Sequence, residues 1–125
     1  MSAPNILFVI TDQERGREWI LDGLEERLPN RVRLRRSAME FTQHYTHSSP
    51  CSPSRATLLT GQYVPEHGVT DNVFVDPAQP DLHTSTPTIG QLLGEAGYRA
   101  GYVGKWHLSY GNPHMASYGF SDWSG

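Results

Sequence analysis

Two residue types are nearly missing from this 125-residue chain, which has one cysteine, Cys51, and one lysine, Lys105. A single cysteine excludes an intramolecular disulfide framework and argues against a cysteine-based zinc site. Cys51 must therefore be inert, catalytic or modified. Long apolar runs are missing too, so no membrane-spanning segment is predicted. The start, Met1-Ser2-Ala3-Pro4-Asn5, has no basic leader, apolar core or small-residue cleavage site. The expected location is cytoplasmic, or periplasmic or secreted if a leader has been removed. Nor is there an excess of positive charge: a formal net charge of −3 argues against general binding to nucleic acid or membrane surfaces. Half of the ten basic residues fall at Arg27, Arg31, Arg33, Arg35 and Arg36, after the acidic Glu14, Glu18, Asp22, Glu25 and Glu26. That pattern reads as a solvated helical face rather than an anion site. What is there, 37% hydrophobic and 18% charged residues, suits one modest globular domain.

Ile6-Leu7-Phe8-Val9-Ile10 is a continuous apolar run, which predicts a strand buried on both faces of a parallel sheet. It stops at Thr11-Asp12-Gln13. Ligands of open α/β sheets bind beyond the carboxyl ends of strands, so Asp12 stands at a candidate site. Residues 19–38 are helix-compatible but broken by Pro29, and residues 40–46 suit a second strand. Ser52 as a cap, Pro53 in the first turn and Gly61 as a stop predict a helix with Cys51 at its mouth. Residues 62–87, rich in Pro, Asp, Asn and His, read as a long surface excursion. His44, His47, His67 and His83 lack regular metal spacing and are expected to be structural. A short helix from Ile89 to Ala96, stopped at Gly97, and a strand from Tyr98 to Val103 follow. The tail from Ser109 to Gly125 shows no closing element. This order argues for an α/β fold with parallel pairing. Three candidate strands make a thin sheet, so the chain reads as incomplete.

A group at a helix mouth feels unpaired backbone N–H donors and the positive end of the dipole, which suits an anionic substrate at Cys51. Arg55, one turn in, adds a fixed donor for a sulfate or phosphate oxygen. Taken singly, such residues have plain structural readings. A lone cysteine is often a small buried hydrophobe, and a strand-end Asp is often a cap or turn former.

The stretch Cys51-Ser52-Pro53-Ser54-Arg55-Ala56-Thr57-Leu58-Leu59-Thr60-Gly61 resembles the signature of the sulfatase family over its whole length. In that family a dedicated formylglycine-generating enzyme reads the Cys-x-Pro-x-Arg core and oxidises the cysteine, which makes Cys51 a precursor rather than a thiol nucleophile. The hydrated aldehyde carries two hydroxyls. One attacks sulfur to give a covalent sulfo-enzyme, and the other loses its proton to expel sulfate. Pro4-Asn5-Ile6-Leu7-Phe8-Val9-Ile10-Thr11-Asp12-Gln13 is similar to the family's opening strand. The resemblance implies Asp12 as a ligand of a divalent cation, usually Ca2+, with Mn2+ or Mg2+ as alternatives, together with residue 51; carboxylate oxygen suits such an ion. Gln13 stands where many members have a second Asp, and its uncharged carbonyl makes it a weaker ligand. This Asp-Gln form is similar to choline-sulfatase-like and phosphonate monoester hydrolase relatives.

Gly104-Lys105-Trp106-His107-Leu108 also resembles a family motif. Alternate residues of an extended segment point the same way, so Lys105 and His107 are expected to converge. Lys105 would supply a cation for sulfate oxygens, and His107 would accept or donate a proton near the diol. Asn72 occupies a place where some relatives bind a substrate oxygen, although a loop asparagine is also an ordinary turn former. The set of Asp12, the Cys51 segment, Lys105 and His107 favours a catalytic reading over separate structural ones.

The resemblance implies that residues 1–125 are the N-terminal portion of a single catalytic domain, part of an alkaline-phosphatase-like α/β fold with a mostly parallel sheet flanked by helices. The expected activity of the intact protein is hydrolysis of small-molecule sulfate esters, with no nucleic-acid or membrane partner. The alternatives are a phosphonate or phosphodiester hydrolase, against which Lys105 and His107 lean, and a truncated non-catalytic remnant. One carboxylate, one amide and one diol fall short of the six or more oxygens that calcium takes. This segment alone is therefore expected to hold metal poorly and to be inactive.

Overall fold

The computed structural model describes residues 3–16, 19, 23, 27–74, 79–110 and 114–125. They divide into two units, 1–44 and 45–125. In the first, Pro29 supplies the preset φ that opens helix α1, Pro29–Ser37, and Arg35 and Arg36 lie in its last turn, where the dipole favours cations. The helix buries no residue. Arg31 pairs with Glu14, and Arg35 with Glu40 at 2.8 Å, so the basic face is solvated and matched by acids, as its charge pattern predicts. Of the helix expected over 19–38, α1 is the part observed; residues 20–22 and 24–26 lie outside the described residues.

The strands expected at 6–10 and 40–46 are not formed. Ile6 to Val9 are exposed, Leu7 at 89%, and 40–46 is a turn-containing exposed segment. An apolar run becomes a strand only where a neighbour takes its N–H and C=O groups. The one sheet among the described residues has two strands and uses neither segment.

The second unit contains α2 (Cys51–Thr60), α3 (Val64–His67), α4 (Ile89–Glu95), β1 (Gly101–Val103), a 3-10 turn (Met115–Tyr118) and β2 (Asp122–Ser124). Gly61 takes φ 68° and ends α2, as expected. Thr88 and Gln91 form a capping box on α4, and the Thr88 hydroxyl donates to the Tyr118 carbonyl at 2.6 Å. That bond ties α4 to the tail. The tail does have a closing element: β2 pairs in parallel with β1, Tyr102 opposite Trp123. Helices with a parallel strand pair give the α/β class the element order implies. Gly119 makes the close approach possible, since it holds φ 82° and a Cβ there would run into the backbone of Gly90 and Gln91.

The core joins Ala56 and Leu59 of α2 to Val69, Leu82, Trp106, Leu108, Met115, Tyr118 and Phe120. Leu82 and Leu108 are fully buried, each contributing about 1.5–3 kcal/mol, and the Leu82 amide donates to the Leu108 carbonyl at 2.8 Å. The surface excursion expected over 62–87 is, in its described residues, partly built into the core: Val69, Val73 and Leu82 are each 1% exposed or less. No helix among the described residues is long and apolar enough to cross a membrane.

His67 is one of the histidines expected to be structural, and it is buried. Its Nδ1 accepts from the Val69 amide at 3.1 Å, so the ring is neutral with its hydrogen on Nε2, 3.1 Å from the Thr57 hydroxyl. Burial, followed by the nearby charge of His47, pushes its pKa below the usual histidine value. A lowered folded-state value means that the unfolded chain takes up the proton first on acidification. The stability His67 contributes is therefore complete above the ordinary value of about 6.5 and is lost as pH falls through it towards the lowered one. Thermal melts at about pH 8 and about pH 5 should show a larger acid-induced drop in Tm for wild type than for His67→Asn. Equal drops in the two proteins would show that another group is responsible.

Candidate active site

Helix α2 begins at Cys51 itself, earlier than the cap chemistry predicts. Its N-cap position is Pro50, with no side-chain cap. Ser52 is not free to cap, because its hydroxyl is engaged elsewhere in the tertiary structure. The Ser52 amide, one of the open donors of the first turn, instead donates to Asn72 Oδ1 at 2.9 Å. The Ser52 hydroxyl donates to the His107 carbonyl at 2.5 Å and accepts from the Val73 amide at 3.2 Å. Cys51 is half-buried and forms no disulfide. Three segments distant in sequence thus meet at the start of α2: residues 51–55, 72–74 and 105–107.

Arg55 holds the second junction. It is buried at 7% exposure, and its Nη1 donates to the Lys105 carbonyl at 2.5 Å and to the Tyr102 hydroxyl at 3.2 Å. Tyr102 in turn donates to the same carbonyl at 2.6 Å, and burial raises its pKa, keeping it a donor. Both bonds use Nη1, and together with Tyr102 they tie the guanidinium to the backbone of the Lys105 segment.

That segment is not a strand. Gly104 and His107 take φ 97° and 59°, so the chain turns left-handed twice in place of the expected alternation. Trp106 is buried between an exposed Lys105 and a half-buried His107. His107 Nε2 lies 2.9 Å from the Val73 carbonyl, while Nδ1 is buried without a hydrogen-bond partner among the described residues. Phe74 stacks on the imidazole at 5.7 Å and 10°.

Asn72 uses its side-chain oxygen on Ser52, which leaves its Nδ2 donors as the end that could meet a ligand oxygen. Asp12 and Gln13 belong to the first unit, where both are exposed and Gln13 takes φ 56°. Among the described residues no three His, Cys, Asp or Glu side chains cluster as a metal site. Asp12 has the oxygen chemistry a calcium ion prefers, but these residues do not make up its shell. Sequence reasoning missed Ser52, Val73 and Tyr102 as parts of the constellation. A serine after the cysteine carries only a capping signal, and nothing in sequence spacing announces a contact to residues 21 and 55 positions away.

The family model described as Sulfatase matches residues 4–125. Human arylsulfatase G is 32% identical over 127 residues, covering 98% of this chain and 23% of the relative. An extracellular sulfatase SULF-1 homolog of Drosophila melanogaster is 34% identical, covering 98% of the chain and 11% of the relative. The N-acetylglucosamine-6-O-sulfatase of Bacteroides thetaiotaomicron is 33% identical, covering 97% and 20%. The chain thus spans less than a quarter of the length of these relatives. No solved structure matches it significantly. With the signature at the start of α2, the motif after β1 and a family match over nearly all its residues, this chain belongs to the sulfatase family, and its helices and parallel strand pair are part of an alkaline-phosphatase-like α/β fold.

Proposed function

We propose that this chain contributes the modified nucleophile and part of the sulfate-binding wall to an enzyme that hydrolyses sulfate esters by the formylglycine route. The reading rests above all on the reach of Ser52, the neighbour of Cys51, to both Asn72 and His107. Residue 51 suits formylglycine: it is half-buried, unbridged and first in a ten-residue helix, where backbone donors and dipole favour an anion. Formylglycine there would supply a geminal diol, one hydroxyl to attack sulfur and the other to expel sulfate. Lys105 is assigned to the sulfate oxygens as a point charge and His107 to the diol as proton acceptor and donor. Asn72 offers Nδ2–H to a substrate oxygen, and Arg55 fixes the Lys105 backbone.

In the intact enzyme, Asp12 with its carboxylate, Gln13 with its carbonyl and residue 51 are assigned to a divalent cation, most consistent with Ca2+, which would polarise the sulfate. These donors are too few to fill the shell. Residues 1–125, read as a portion of one catalytic domain, are accordingly expected to turn over aryl sulfate far more slowly than a full-length relative. The relatives' names include an aryl and an amino-sugar sulfatase, so the proposal commits to the sulfate ester and not to its alcohol.

The test begins with the chain co-expressed with a formylglycine-generating enzyme, the partner assigned to Cys51. The tryptic peptide ending at Arg55 should lose the mass that separates CH2SH from CHO. An unmodified thiol there, with a control substrate converted in the same cells, would overturn the reading. Assay of the intact enzyme on matched sulfate, phosphodiester and phosphonate esters should favour sulfate; preference for phosphonate would move it to the sister chemistry.

A further inference from the structure

Ser52 is a small polar residue with 0% exposure, and both roles of its hydroxyl are used. It donates to the His107 carbonyl at 2.5 Å and accepts from the Val73 amide at 3.2 Å. His107 reaches Val73 in turn through its ring, with Nε2 2.9 Å from the Val73 carbonyl. A carbonyl only accepts, so Nε2 carries the hydrogen. The three residues therefore close a loop of hydrogen bonds: Ser52 hydroxyl to His107 carbonyl, His107 imidazole to Val73 carbonyl, Val73 amide to Ser52 hydroxyl. His107 has φ 59°, an unusual conformation for a residue with a side chain, which persists where its surroundings over-determine it. Here the surroundings are this loop and the Phe74 ring stacked on the imidazole. Nδ1 is left buried and without a hydrogen-bond partner among the described residues.

We infer that Ser52 is a positioning residue that, with Val73, locks His107 in the Nε2–H tautomer and so makes the Nδ1 lone pair the proton acceptor of the site. This rests on the reading that residue 51 and His107 share one catalytic centre. Ser52 acts only through His107. Its chain neighbour is the modified residue, so the hydroxyl couples the residue after the nucleophile to the base, and neither can shift without straining the other. Without that hydroxyl, the Val73 amide and the His107 carbonyl lose their partners. The ring is then held at Nε2 alone, by an acceptor whose own segment has come loose.

The experiment is nitrogen-15 NMR of histidine side chains in mildly alkaline buffer. The wild-type protein should show His107 as a single Nε2–H tautomer, and Ser52→Ala should show an averaged mixture. Ser52→Thr, which keeps the hydroxyl, should restore the single form. A wild-type Nδ1–H or averaged ring overturns the inference without any variant, and so does an unchanged tautomer in Ser52→Ala. In the intact enzyme, Ser52→Ala should lower kcat roughly 10–100-fold, with KM little changed and formylglycine content at residue 51 equal to wild type by mass. Wild-type kcat in that fully modified variant also overturns it. A wild-type enzyme inactive on every sulfate ester would instead defeat the catalytic reading, while the NMR result would still decide the lock.

Discussion

Replacing Cys51 by serine in the intact enzyme is expected to lower sulfate-ester turnover by on the order of 10⁴-fold or more, with the fold retained. Serine differs from cysteine by one atom at a half-buried position outside the core cluster, so the stability change should stay below about 1 kcal/mol. The chemistry changes far more. A serine hydroxyl at the start of α2 has the same helix donors and the same neighbouring segments, those of Asn72 and His107. It can still attack sulfur, but it has no second hydroxyl whose proton loss would expel the sulfate. The variant should therefore become sulfated once and stop. Intact-mass spectrometry after incubation with an aryl sulfate should find stoichiometric sulfate on the Cys51→Ser protein and none on the Cys51→Ala protein. Sustained multiple turnover by Cys51→Ser at the wild-type rate would show that the aldehyde chemistry is not used.

Arg55→Ala should be the most damaging substitution for the fold. The guanidinium is 7% exposed and donates to the Lys105 carbonyl and the Tyr102 hydroxyl. Removing it deletes two charge-assisted bonds and leaves a void beneath α2, a loss of about 2–4 kcal/mol. Urea melts should show a lower midpoint with similar m-value. Arg55→Lys should recover little, because the guanidinium holds the two N–H bonds of Nη1 in one rigid plane against both acceptors, whereas an ammonium turns on a flexible stem. Activity in the intact enzyme should fall as well, since the Lys105 segment loses its anchor while Tyr102 alone still holds the carbonyl. If Arg55→Lys matches wild type in both midpoint and rate, the side chain serves as a charge and not as a clamp.

Much of the second unit is legible in the sequence. Gly61 and Gly97 punctuate helices by local rules that act within a few residues, and the spans they mark are close to those observed. The first apolar run is legible only as a strand-former. Residues 6–10 have the composition of a buried strand, yet pairing is decided by a neighbour, and the described sheet pairs Gly101–Val103 with Asp122–Ser124 instead. The tail departs from its sequence pattern for a related reason. Its Gly, Ser and aromatic content resembles a loop, but Met115, Tyr118 and Phe120 pack into the core once Gly119 lets the chain pass close over α4.

For the candidate site, the sequence by itself determined the parts. The eleven residues from Cys51 to Gly61 carry the family signature, Lys105 and His107 follow β1, and Asp12 and Gln13 stand after the first apolar run. Residue type and short-range spacing carry that information because side-chain chemistry and helix punctuation are local properties. What only the tertiary structure decided is how the second-unit parts are held. Arg55 faces a backbone carbonyl, Asn72 accepts from the first turn of a helix that does not contain it, and Ser52 closes a loop with Val73 and His107. Those bonds join residues 20 to 55 positions apart, and each has a backbone group at one end. A group common to all residues leaves no mark in a sequence, so it becomes a specific partner only when folding brings it within reach.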